Sequence, residues 1–210
     1  MDTLIFILEI GYSSENFSKS INRLGRMAFR YSIRLGGAGG QGLIQAARII
    51  AEAAAIYDNK NAAESCSYGP EARSSASKAE IIISDEIIDY PKADTIDFLM
   101  ALTQQAYDKY IGDLLPDGVV VIDSRVQPSD QAGSKKIYSA PLIKIAEEKC
   151  GKQTMVDIVA LGFFAGVNGI VNRDSIRKAI LARIPRNSED DFMCAYDAGL
   201  EASLTVSGKK

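Results

Sequence analysis

Histidine is absent from all 210 residues. A chain without it supplies no Ser-His or Cys-His pair, no imidazole metal ligand and no imidazole base of its own, which removes the commonest hydrolase and metalloenzyme mechanisms. Cysteine is scarce. Cys66, Cys150 and Cys194 are odd in number and far apart, so their spacing implies neither a disulfide framework nor a zinc or iron-sulfur ligand set, and a reducing, cytoplasmic compartment is the simplest reading. Long apolar runs are lacking near the start: Leu4-Ile-Phe-Ile-Leu8 lies between Asp2 and Glu9, too short to span a membrane and without the basic start or cleavage site of a signal peptide. No basic stripe interleaved with aromatics occurs, so neither nucleic acid nor membrane is an expected partner. Internal repeats, low-complexity tracts and Gly/Ser linkers are missing too, which leaves one domain.

What is present suits a globular protein: 47% hydrophobic residues, 24% charged residues and a formal charge of -3. Residues 1-26 read as an N-terminal appendage, an upstream start or an extra edge strand, with the domain proper spanning 27-210 from Met27. The most informative segment is Arg34-Leu-Gly-Gly-Ala-Gly-Gly-Gln-Gly42. Read as Gly37-x-Gly39-x-x-Gly42, it is the turn that brings backbone amides to a phosphate at the start of a helix. Phe29, Tyr31, Ile33 and Leu35 precede it at the strand period, and Leu43, Ala46, Ala47, Ile50 and Ala54 follow it at the helix period. Gly39→Val is expected to break such a turn, since a β-branched residue cannot take positive φ without strain.

Two features set the segment apart from a dinucleotide-binding unit. Its strand alternates with Arg30, Ser32 and Arg34, where a central parallel strand is continuously apolar. No acidic residue ends a second strand on schedule, Asp58 and Glu64 being the nearby candidates. A turn that only packs helix on sheet therefore stands beside the phosphate-binding reading.

Further along, Ala79 to Asp85, Asp94 to Leu102 and Val119 to Asp123 read as strands, Gln104 to Ile111 as a helix, and Leu115-Pro-Asp-Gly118 as a turn. The alternation predicts an α/β fold, a three-layer α/β/α arrangement around a largely parallel, Rossmann-like sheet. The remainder is helical: Pro141 to Cys150 closed by Gly151, Met155 to Val167, Arg173 to Ala182 capped by Asn172, and a last helix from Ser188. Met155 to Val167 has almost no polar face, so it is buried either in its own domain or in a partner.

A second constellation is Cys66-Ser-Tyr-Gly-Pro-Glu-Ala-Arg-Ser-Ser-Ala-Ser-Lys78. Its Arg73 and Lys78, among small hydroxyl residues and beside a Gly-Pro turn, suit a phosphate or carboxylate. Local pairing of Glu71 with Arg73, with the serines as caps, explains the spacing equally well.

The order of these segments resembles the gamma subunit of the 2-oxoacid:ferredoxin oxidoreductases, the separate-chain form of one domain of pyruvate:ferredoxin oxidoreductase. The residues that carry the resemblance are Gly37 to Gly42, Ser67-Tyr-Gly-Pro-Glu-Ala-Arg73, Ile83-Ser-Asp85 with Pro91, Asp97 to Leu102, Pro116 to Asp123 and Val156 to Gly162. One departure is Ser74-Ser75, where the family has one or two glycines after the arginine.

The resemblance implies a holoenzyme that decarboxylates a 2-oxoacid on thiamin diphosphate with Mg2+. Electrons pass through iron-sulfur clusters to ferredoxin, and the acyl group goes to coenzyme A. The short gamma form with this glycine run is most similar to the 2-oxoglutarate enzymes, with pyruvate and branched-chain oxoacids as alternatives. It further implies alpha, beta and ferredoxin-like delta subunits as partners, with no catalytic residue, metal or cofactor held by this chain alone. Gly37, Gly39, Gly40, Gln41 and Gly42 would then supply donors near coenzyme A or an adjoining subunit, Arg73 a fixed charge, and Tyr68 and Glu71 the shape of the loop.

A free-standing, Rossmann-like nucleotide-binding oxidoreductase is the competing class, and a scaffold with no ligand is a third. The familiar Tyr-x-x-x-Lys pair fails at Tyr107, where Ile111 follows, and at Tyr138, where Leu142 follows.

Overall fold

The computed structural model describes residues 29–67, 77–130, 133, 135–185 and 187–207; the appendage reading for residues 1–26 falls outside them. The chain runs through β1 (Arg30–Gly37), α1 (Leu43–Glu52, prolonged by a wider π turn over Ala53–Tyr57), β2 (Asn61–Ser67), β3 (Ser77–Ser84), β4 (Ile96–Ala101) and α2 (Gln104–Tyr110). It continues through β5 (Leu114–Asp123), β6 (Lys136–Ala140), α3 (Leu142–Cys150), α4 (Val156–Val167), α5 (Arg173–Leu181) and α6 (Glu189–Ser207). The six strands form one sheet in the order β2-β3-β1-β4-β5-β6.

β1, β4, β5 and β6 are parallel neighbours, whereas β3 runs antiparallel to both β1 and β2. The expected three layers are present but unequal. One face packs Ile33, Leu35, Ile81, Ile83, Phe98 and Met100 against α1, α3, α4, α5 and α6. Among the described residues, the other face carries α2 as its one α-helix, over Leu99, Ala101, Val120 and Ile122.

β2 and β6 are the strands that the sequence pattern did not announce. Asn61-Ala-Ala-Glu-Ser has little β propensity, and it becomes an edge strand by pairing with β3 across the whole length from Asn61↔Ser84 to Ser67↔Lys78. Cys66 and Lys78, expected in a loop, therefore lie on strands. The turn expected at Leu115 to Gly118 lies inside β5 as a bulge, where the ladder jumps from Ile96↔Leu114 to Phe98↔Val119.

The alternation of β1 has a specific cause. Its polar face is buried by an ion-pair network instead of an apolar layer. Arg34, 3% exposed, donates from Nε (2.9 Å) and Nη2 (2.6 Å) to Glu80 Oε1, from Nη1 to Asp113, and from Nη2 to the Ala93 carbonyl at 3.1 Å. Lys78 Nζ stands 3.1 Å from the other Glu80 oxygen, and the guanidinium lies over the Tyr110 ring. A central strand can keep an arginine because its donors and its charge are met.

α4 is buried from Val156 to Gly166, within this chain's own core. It crosses α6 at glycine on both sides: a Cβ on Gly162 would come 1.9 Å from the Tyr196 carbonyl oxygen, and one on Gly199 1.9 Å from that of Val159. The two backbones touch where side chains would separate them. Gly162→Ala is therefore expected to cost about 3 kcal/mol in chemical denaturation, since backbone cannot step aside as a side chain can. Gly112→Ala, with nothing within 4 Å of a Cβ, serves as the control; equal losses for the two would show that the crossing is not tight.

Candidate functional site

The glycine turn stands at the carboxyl end of β1, beside that of β4. α1 leaves β1 toward one face of the sheet, and α2 leaves β4 toward the other. A parallel sheet opens a crevice beyond its strand ends at such a switch, and ligands of open α/β sheets bind there.

Within the turn, each glycine has a different reason. Gly40 (φ 86°) and Gly42 (φ 71°) take the left-handed conformation, and Gly39 does not. The requirement assigned to Gly39 from sequence is thus corrected: Gly39 meets nothing within 4 Å and faces open space, as does Gly40. Gly37 is filled on its own side, because a Cβ there would meet Gln41 Oε1 at 2.3 Å and Leu43 at 2.8 Å. Gln41 folds back, its Oε1 accepting from Ala38 N at 2.7 Å. The side chain expected to face a ligand thus also locks the turn through its Oε1. Gly42 precedes α1 with no side-chain cap, so the first amides of that helix receive no capping bond from it. Gly40→Ala is expected to cost about 1 kcal/mol in chemical denaturation and Gly39→Ala close to none; the reverse order would refute this division of roles.

Gly39, Gly40 and Gln41 line a hollow of about 260 Å³ together with Arg125, Ile143, Gln153, Thr154 and Val156. Arg125 also lines an adjoining hollow of about 320 Å³ with Asp123, Ser124 and Lys144. Arg125 is the cation that sequence reasoning missed. Asp123, buried at the end of β5, accepts from Arg125 N (3.1 Å) and Nε (2.8 Å) through Oδ1, and from Ile143 N (3.0 Å) through Oδ2. One carboxylate thus aims the arginine and caps the start of α3. The terminal nitrogens of Arg125 have no partner among the described residues and remain available to an anion. An arginine two residues past the aspartate that ends a run of Val and Ile was the available signal.

Tyr68, Glu71 and Arg73 lie outside the described residues. Ser77, the first residue described after them, is paired with Gly37 and donates from Oγ to its carbonyl at 3.1 Å. The two nearby acids considered for a ribose have other work. Asp58 accepts from Asn172 N and Ser175 Oγ at the start of α5, and Glu64 on β2 pairs with Arg48. Cys66, Cys150 and Cys194 are free thiols, and among the described residues no group of His, Cys, Asp or Glu could hold a metal ion.

Against the back of the turn lies Asp157, in the first turn of α4 and 6% exposed. A Cβ on Gly42 would come 2.4 Å from its Oδ2. Burial pushes this carboxyl up to about 6, against the partial relief given by the amides of Ile158 and of Asp157 itself. Between the unfolded value near 3.8 and about 6, the folded state holds the extra proton, so stability falls as pH rises through that window and stays lower above it. Asp157→Asn is expected to raise stability by on the order of 2 kcal/mol near pH 7.5 and to change little near pH 4; an equal shift in Tm at both would sink this account.

A model of the pyruvate ferredoxin/flavodoxin oxidoreductase family matches residues 32–202. The chain is 43% identical over 180 residues to the 2-oxoglutarate synthase subunit KorC of Methanocaldococcus jannaschii, covering 85% of this chain and 96% of that protein. It is 36% identical over 187 residues to KorC of Methanothermobacter marburgensis, covering 86% and 100%. The gamma subunit of a keto/oxoacid ferredoxin oxidoreductase from Geobacter sulfurreducens has a TM-score of 0.78 at 42% identity, over 85% of this chain and 99% of that one. The 2-oxoglutarate:ferredoxin oxidoreductase of Magnetococcus marinus, solved with 2-oxoglutarate, coenzyme A and succinyl-CoA bound, shares the fold at a TM-score of 0.74 and 20% identity, over 84% of this chain and 31% of that one. The chain belongs to the pyruvate ferredoxin/flavodoxin oxidoreductase family, as the order of its motifs implied.

Proposed function

We propose that this chain is the gamma subunit of a cytoplasmic 2-oxoglutarate:ferredoxin oxidoreductase. The complex converts the oxoacid and coenzyme A to succinyl-CoA and carbon dioxide, passing two electrons to ferredoxin. The observation that carries the reading is the match to KorC subunits over nearly their whole length. In this reading the reacting groups belong on the alpha, beta and delta subunits. Thiamin diphosphate, Mg2+ and iron-sulfur clusters are assigned there.

The part left to this chain is anion holding. Gly39 and Gly40 form a cradle that side chains would fill, α1 begins beside it with its positive end, and Arg125 adds a fixed charge. That donor set fits a phosphate of coenzyme A, whose thiol accepts the acyl group when it is bound. Arg73 joins the same site in this proposal, its segment rejoining the sheet at Ser77 beside Gly37.

The test is a native pull-down of the tagged chain from its own cells, followed by coenzyme A-dependent reduction of a viologen dye. Larger thiamin and iron-sulfur subunits are expected to co-elute, with activity on 2-oxoglutarate above that on pyruvate. A chain that elutes alone and binds a nicotinamide nucleotide would overturn the proposal.

A further inference from the structure

Asp157 is a buried carboxyl that the Arg34 network does not include and the phosphate reading does not use. It abuts Gly42 from behind, while Gly39 and Gly40 present the open side of the same turn to the hollow. Both positions adjoin Gly42 and so the start of one helix, α1.

Among the charged groups of the elements packed on α4, the following are engaged elsewhere. On α1, Arg48 pairs with Glu64 and Glu52 with Arg183; on α3, Lys144 pairs with Glu148, and Glu147 accepts from Gln153. On α5 and α6, Arg177 pairs with Asp197, and Arg173 donates to the Ala165 carbonyl. Arg125, across the hollow, is held on Asp123. No cation neutralises Asp157 among the described residues, and no charged neighbour contributes to the rise in its proton affinity, which is due to burial.

We propose that Asp157 and the glycine turn act as one proton-linked anion site, in which an incoming phosphate is held together with a proton taken up by Asp157. The inference rests on the reading of the turn as a phosphate cradle. An ionised Asp157 already occupies the positive end of α1 from the rear, and a phosphate in front adds like charge in a poorly solvated place. The protonated carboxyl removes that repulsion. By linkage, the ligand raises the proton affinity of Asp157, and the proton raises the affinity for ligand by the same factor. Binding therefore strengthens as pH falls from neutrality toward the weakly acidic range, and Asp157 sets the affinity without touching the ligand.

The experiment is calorimetric titration of the assembled complex with dephospho-coenzyme A, whose diphosphate diester has no group that titrates in the range used. Measurements near pH 5.5 and near pH 7.5, each in two buffers of different ionisation enthalpy, give affinity and proton uptake together. Wild type is expected to bind about fivefold more tightly at the lower pH, with net proton uptake between the two, as one unit of coupling requires. Asp157→Asn is expected to bind with equal affinity at both and to take up no proton. Arg125→Gln is expected to weaken binding at both pH values, which locates the probe at this turn. A wild type that binds with no pH dependence and no proton uptake overturns the inference and leaves the cradle standing, as does an Asp157→Asn complex that keeps the dependence. No binding at either pH, or binding untouched by Arg125→Gln, removes the cradle and the inference with it.

Discussion

The backbone contact between α4 and α6 sets the frame of the molecule. Gly162 faces the Tyr196 carbonyl and Gly199 the Val159 carbonyl, a reciprocal approach in which each helix uses its missing side chain to accept the other. Close backbone packing of this kind gains dispersion and weak Cα–H···O contacts over a long stretch. It draws a helix apolar but for Asp157 into the middle of the larger helical layer, and the position of α4 along the sheet follows from it. Because α4 begins at Val156, the same placement puts Thr154, Val156 and Asp157 around the glycine turn. The site is thus indexed by a crossing on the far side of the core.

On the opposite face, the Arg34 network performs the corresponding task with charge. A buried ion pair is costly to form and costly to break, so its value lies in specifying one arrangement. Arg34 ties β1 to Glu80 on β3, to Asp113 ahead of β5 and to the carbonyl of Ala93 before β4. Slipping β3 by one residue would turn Glu80 to the other face and leave the guanidinium unpaired. The pairing therefore fixes the register of an antiparallel strand inserted among parallel ones, and with it Ser77 beside Gly37.

Much of this was legible in the sequence where local pattern and tertiary environment agree. The strand–glycine–helix unit, α2, α3 with Gly151 in its left-handed cap, and α5 with Asn172 accepting from Asp174 N all follow from period and capping. β2 was not, because its residues become a strand through pairing and not through preference, and β6, although it holds Ile137 and Tyr138, is five residues long, too short for a clear period. The alternation of β1 was visible, but its reason needed Glu80 and Asp113, which lie 46 and 79 residues away in the chain. In the site, the glycine run located the hollow, whereas Arg125 and Asp157 come from distant segments that only the fold assembles. Gln41 has a second use that the sequence did not show: it lines the hollow, and its Oε1 also closes the turn on Ala38 N.

That second use of Gln41 has a thermodynamic consequence. Its Oε1 bridges back to Ala38 N and so closes the loop between β1 and α1 by a side chain of its own. A glycine-rich loop without such a bridge would sample many backbone states, and a ligand would have to select one at an entropic cost. Here that selection is made at folding, so a guest at the turn would dock as on a rigid surface, with little disorder left for it to remove.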